Sequence, residues 1–253
     1  MILPLLLLAA AQATPPRAGP PDPAEQRFDH CVDLASGDPP SAETAAGQWL
    51  LDGGGFLAHQ CLGITYASEL RWTGAATEFE AAAQGAEIVH DKRSANYWAQ
   101  AGNAWLATGE AMKARAALNA ALAGGTLVGL QRGEASLDRA RAFVASGDLA
   151  DARVDLDHAI VDAAGDPLAW LLSATLARRM KDLPRAQKDI AEAIHRAGDD
   201  ASVQLEAGNI AALAGDEAGA KAAWNRAVTL RPDGVAGRNA RNALKQFDTV
   251  AGK

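Results

Sequence analysis

About one quarter of the 253 residues are alanine, 5% are aromatic and runs of β-branched residues are missing, which excludes a sheet-rich fold and predicts an all-α chain of one or two domains. The 24 lysines and arginines against 31 aspartates and glutamates leave a net charge of −7. That balance excludes a nucleic-acid binder working through an overall positive field, while a local basic patch stays open.

Residues 1–13 carry an apolar core, Ile2 to Ala11, and end in the small-x-small pattern Ala11-Gln12-Ala13. This predicts an export signal cut before Thr14 and hence a periplasmic or secreted protein. The run is too short to span a bilayer, which takes about 20 apolar residues. A buried first helix is the alternative, opposed by the segment that follows. Over 14–22, and into Pro23, the prolines Pro15, Pro16, Pro20, Pro21 and Pro23 forbid helix and predict a flexible leader.

Beyond the leader the chain repeats. Ala186 and Ala220, Ile190 and Trp224, and Ala193 and Ala227 each stand 34 residues apart and keep the same small, large, small character. In chain order the units are 23–55, 56–89, 95–128, 133–166, 167–200 and 201–234. The first is the most degenerate, with Gly37, Ala42 and Trp49 in register and the turn Gly53-Gly54-Gly55 at its end. The second carries Gly63, Tyr66, Ala75, Phe79 and Ala82, and the third Gly102, Trp105, Gly109, Ala114, Leu118 and Ala121. Short insertions, 90–94 and 129–132, lengthen the turns after these two units. The last three follow without a gap and supply Ala140, Leu156 and Ala159, then Ala174, Ile190 and Ala193, then Gly208, Trp224 and Ala227. Residues 235–249 read as one more helix that covers the exposed end of the stack.

A unit of this length, with small residues where helices approach and large ones in the hollows between them, closed by Leu230-Arg231-Pro232, resembles the tetratricopeptide repeat. The resemblance covers 23–249. It implies a right-handed α-α superhelix of five to six helix-turn-helix repeats with a C-terminal capping helix. Cys31 and Cys61 then fall on the first helices of two successive units, which lie side by side, so a disulfide between them is expected in an oxidising compartment. Two buried thiols are the alternative.

Signatures of catalysis are absent from the sequence: no nucleophile elbow, phosphate loop, dinucleotide fingerprint or paired-histidine zinc motif occurs. The acidic stripe Asp151, Asp155, His158 and Asp162 shares one helix face and is the single place where a divalent cation or acid-base chemistry is conceivable. The competing reading is a solvated convex face. Trp72, Trp98, Trp105, Trp170 and Trp224 occupy packing positions, and Trp49 is less constrained.

In the resembling family the concave face of the first helices holds extended peptides. Projected here, that face presents Asn103, Glu134, Arg141, Thr175, Arg178, Arg179, Ser202 and Asn209. The arginines suit a carboxylate or an acidic peptide through forked hydrogen bonds. The alternative is structural asparagines and solvated arginines. On the terminal helix Arg231, Arg238, Arg241, Lys245 and Lys253 against Asp233 and Asp248 leave a local charge of +3, a second candidate contact for an anionic envelope polymer.

The sequence thus predicts a non-catalytic exported adaptor that binds a protein or peptide in its groove, without cofactor, metal, nucleic acid or membrane span. A structural envelope component assembling peptidoglycan or outer-membrane machinery through its ends and convex face is the alternative, and metal-dependent activity at the Asp151 to Asp162 stripe is the weakest reading.

Overall fold

The computed structural model describes residues 22–251, and these form thirteen α-helices and no strand. The predicted export signal and all of the leader but Asp22 lie outside the described residues. Helices pair as α1 (Pro23–Gly37) with α2 (Pro39–Leu51), α3 (Gly55–Ser68) with α4 (Trp72–Ile88), and α5 (Ser94–Thr108) with α6 (Ala111–Ala123). The series continues with α7 (Leu130–Ser146) and α8 (Leu149–Asp162), α9 (Pro167–Arg179) and α10 (Leu183–Ala197), and α11 (Ala201–Leu213) and α12 (Glu217–Leu230). A last helix, α13 (Val235–Ala251), packs on α11 and α12. Among the described residues no helix is long and apolar enough to cross a membrane.

Local chemistry sets the helix ends. The side chains of Asp22, Asp38, Asp166, Asp182, Asp200 and Asp216 each accept a backbone N–H of the first turn that follows. Those N–H groups have no partner inside the helix, which is why a short carboxylate is favoured there. Counted from the first residue of each unit, the fifteenth position takes a left-handed backbone in five successive units: Leu70, Gly109, Gly147, Lys181 and Gly215, with φ of 61°, 81°, 85°, 64° and 78°. A residue in that conformation cannot continue the helix, so each first helix stops there and the chain turns into its partner. Leu70 and Lys181 hold this conformation with a side chain, at a cost glycine avoids.

The apolar residues form no single centre. They cluster in series, each cluster bridging neighbouring helices from α1 to α13, as expected of a stack whose repeats touch only their neighbours. Within a unit the close contact lies between the eighth and twenty-fourth positions. A β-carbon added to Gly63 would sit 2.5 Å from the Phe79 ring, one on Gly102 would sit 2.4 Å from Leu118, and one on Gly208 would sit 2.4 Å from Trp224. Where the eighth residue is alanine, as at Ala140 and Ala174, the buried residues opposite are the aliphatic Leu156 and Ile190. The two aromatic rings, Phe79 and Trp224, thus both face glycine, while leucine faces either glycine, at Gly102, or alanine, at Ala140.

At the N-terminal end Cys31 and Cys61 are joined by a disulfide with their Cα atoms 6.1 Å apart, and both are buried. The Glu25 carboxylate of α1 also reaches the guanidinium of Arg93, just before α5, at 2.7 Å. The insertion 90–94 forms a turn, with His90 left-handed, and the stack runs on through it.

Two outcomes follow from this packing. Gly63→Ala overpacks the Phe79 ring by about 1–3 kcal/mol, more than the roughly 1 kcal/mol that alanine adds to a helix interior. Adding Phe79→Leu reproduces the Ala140 and Leu156 combination and recovers part of the loss, so urea unfolding of both single variants and the double variant gives non-additive midpoints; additive ones would refute the size match. Reduction of Cys31–Cys61, which closes a separation of 30 residues, lowers the stability of the first two units by about 3 kcal/mol. Hydrogen exchange should accelerate in α1 and α3 and stay unchanged in α9 to α12.

Candidate functional site

A hollow of about 500 Å³ opens between the first helices of four successive units, α1, α3, α5 and α7, with Leu127 of the α6–α7 turn at its wall. Second helices contribute nothing to its lining, so it opens on the face of the stack that the first helices form. Gln60 of α3, Asn96, Gln100 and Asn103 of α5, and Gln131 and Glu134 of α7 supply most of its polar lining. Phe28, Ala99, Leu127 and Ala135 supply apolar surface.

One edge of the hollow is held by Arg93. Its Nε and backbone N–H donate to Asp91 Oδ1 at 3.0 and 2.9 Å, Nη2 donates to Asp91 Oδ2 at 2.7 Å, and Nη1 donates to Glu25 at 2.7 Å. The guanidinium also lies 5.1 Å from the Phe56 ring centre. Hydrogen bonds from the Arg93 side chain hold the Asp91 carboxyl below the usual carboxylate range, against the opposing effect of burial, and Arg93 itself is raised. Tyr97, 1% exposed, also lines the hollow, and burial pushes its phenol up to about 12, so it stays neutral. Its hydroxyl and the Oε1 of Gln100 are buried without a hydrogen-bond partner among the described residues.

The residues expected to grip an acidic peptide are placed as follows. Asn103 Nδ2 donates to Asp138 Oδ2 at 2.8 Å, and Arg141 Nη1 donates to Asp138 Oδ1 at 2.8 Å. Arg178 donates through Nε and Nη2 to the two oxygens of Glu206, at 2.6 and 3.2 Å. Asn209 Nδ2 donates to Glu206 Oε2 at 3.1 Å and accepts the Trp224 indole N–H at 3.1 Å. Arg141 and Arg178 are thus engaged by carboxylates of the chain itself, and Glu206 is 6% exposed. Arg179 stands apart, beside Arg141 and Thr175 in a smaller hollow of about 130 Å³ between α7 and α9.

Apart from Cys61, sequence reasoning missed the sixth position of the units, which carries Phe28, Cys61, Gln100, Asp138, Leu172 and Glu206. Here a first helix meets the preceding first helix. Cys31 and Asn103, both ninth in their units, reach Cys61 and Asp138 in this way, and Arg178, twelfth in its unit, reaches Glu206.

The acidic stripe does not form the outward cluster expected. Asp155, 1% exposed, takes both Nε and Nη2 of Arg139, at 2.8 and 2.6 Å, and Asp162 takes Arg132 in the same bidentate way at 2.6 and 2.7 Å. The solvated face expected there holds for Asp151 and His158, which are exposed, and fails at Asp155, which is buried and paired with Arg139. Among the described residues no group of three or more His, Cys, Asp or Glu is placed to hold a metal ion. The indole N–H groups of Trp98, Trp105 and Trp170 donate to Glu87, Glu80 and the Ala164 carbonyl. At the terminal helix Arg238 and Arg241 donate to the carbonyls of Asp233 and Pro232, closing the turn before α13. Lys253 lies outside the described residues.

The fold is that of the tetratricopeptide-repeat superhelix. The chain is similar to PilF of Pseudomonas aeruginosa, with a TM-score of 0.70 at 15% identity over 88% of this chain and 100% of that one. It is also similar to PilW, described as a widely conserved type IV pilus biogenesis factor, with a TM-score of 0.69 at 18% identity over 85% of this chain and 96% of that one. YrrB, described as a TPR protein with an unusual peptide-binding site, superimposes with a TM-score of 0.56 at 17% identity over 73% of this chain and 91% of that one. At such identities the likeness is one of fold. No protein-family model matches the chain, and no curated protein matches it.

The Asp91–Arg93 contact makes stability depend on acid. Asp91 is depressed in the folded state, so its contribution is complete above the unfolded value of about 3.9 and is lost as pH falls through the folded value. The melting temperature of Asp91→Asn should therefore lie below wild type at neutral pH and converge with it under strong acid. A difference that does not shrink on acidification would exclude this origin.

Proposed function

We propose that the protein is a non-catalytic exported adaptor that holds a segment of another protein in the concave groove of its repeat stack. The observation that carries this reading is the hollow on the inner face, where polar side chains from successive first helices converge on a space of about 500 Å³. A surface built on packed helices is preformed, so binding costs little ordering in the receptor. The fold likeness to YrrB, whose description includes a peptide-binding site, agrees with this reading. Export is supported by the apolar start of the sequence, with its small-x-small end, and by the Cys31–Cys61 disulfide, a bond that persists in oxidising compartments.

The test is affinity capture from envelope extract with the tagged chain beside a Gln131→Trp variant. Gln131 is exposed at the hollow, so the larger side chain obstructs the groove without disturbing the core. A protein recovered by wild type and lost with Gln131→Trp is the expected result, and the exported chain should begin at Thr14 by intact mass. Equal recovery by both would remove the groove as the binding surface. An uncleaved chain confined to the cytosol would remove export.

A further inference from the structure

Resting on the groove reading, we infer that the hollow between α5 and α7 receives a basic side chain, arginine foremost, presented by an extended segment of the partner protein. The expectation from sequence was the opposite charge, and internal pairing takes Arg141 and Arg178 out of it, while Arg179 stands exposed at the separate, smaller hollow between α7 and α9. Arg141 and Arg178 are engaged by Asp138 and Glu206, and Arg93 at the edge of the hollow by Asp91 and Glu25. An acidic ligand would have to displace an internal carboxylate to reach any of them.

What remains at the hollow accepts hydrogen bonds. Gln100 Oε1 is a pure acceptor, buried and without a partner among the described residues, and the Tyr97 hydroxyl, one helical turn away in α5, is equally unpartnered. Such atoms are expensive to bury unpaired. Glu134, exposed at the start of α7, has no hydrogen bond or ion pair among the described residues, and Asp138 has lone pairs beyond the two bonds it takes from Asn103 and Arg141. The two carboxylates line one space with Gln100 and Tyr97, whose acceptor oxygens lie unpaired at its wall, which calls for a ligand group rich in donors. A guanidinium presents five N–H donors in a plane. Its aliphatic stem has Leu127, Ala99 and Ala135 to lie against.

The test titrates the isotope-labelled full chain with N-acetyl-arginine amide, and with the citrulline and glutamate counterparts, following the side-chain amide signals of Asn96, Gln100 and Asn103 by NMR. The arginine compound should move these signals saturably and more strongly than citrulline, which is isosteric and uncharged. Glu134→Gln should weaken that binding about tenfold, the loss expected for one charge-assisted hydrogen bond. Because Glu134 is exposed and unpaired, this variant keeps its fold, which an unchanged backbone spectrum verifies. Equal binding of citrulline, preferential binding of glutamate, or arginine-induced shifts confined to other helices would each overturn the assignment. If arginine does not bind while Gln131→Trp still loses the partner, the basic specificity fails and the groove reading survives. If arginine binds as expected while capture is indifferent to Gln131→Trp, the hollow keeps its specificity and the groove is not where the captured protein docks.

Discussion

The rest of the structure depends on how closely two helices of a unit approach at their crossing point. Gly63 under the Phe79 ring, Gly102 under Leu118 and Gly208 under Trp224 leave no room for even a methyl group. Where alanine takes the glycine's place the opposing side chain is aliphatic, as with Ala140 and Leu156. This matching sets the separation within each pair, and repetition of the same pair sets the stack. Because units pack mainly on their neighbours, with the Glu25–Arg93 pair reaching from the first unit to the start of α5, little elsewhere corrects an error, and the first helices line up only if each pair holds its spacing.

A second register runs between successive first helices. A residue near the middle or end of one reaches the sixth position of the next, and the chain uses that slot for three different bonds. In the first two units it is the Cys31–Cys61 disulfide, in the third and fourth the Asn103–Asp138 hydrogen bond, and in the last two the Arg178–Glu206 ion pair. The first unit is the most degenerate in its packing positions and has the covalent version. A crosslink there limits the unfolded states of the end with the weakest repeat signature.

Electrostatics on the inner face follows from the same slot. An acidic chain that turns Asp138 and Glu206 inward neutralises its own arginines, and the bidentate Arg139–Asp155 and Arg132–Asp162 pairs do the same around α8. Burial of Asp155 and Glu206 without these partners would be strongly unfavourable, so the guanidinium groups are structural before they are available to a ligand. The polar groups left over in the larger hollow are amides, a phenol and carboxylates, while Arg179 stands exposed at the smaller one.

Repeat length, helical content and the alternation of small and large residues were legible in the amino-acid order because each depends on contacts within one unit: Gly208 and Trp224 belong to the same helix pair, and Leu230-Arg231-Pro232 marks where it ends. The left-handed turns at Leu70 and Lys181 were not, since neither residue announces that conformation and the helices packed on each side impose it. The pairing of Arg178 with Glu206 and the burial of Asp155 were likewise out of reach. A periodic pattern shows which face of a helix a residue lies on, while the partner of an ion is chosen by the distance between helices that only the assembled stack defines. The sequence by itself determined the brick and its repetition, through local steric fit. Tertiary structure alone decided which charges face each other across the bricks, and with them the chemistry left open in the groove, because Coulomb and hydrogen-bond partners are selected in space and leave no period in the chain.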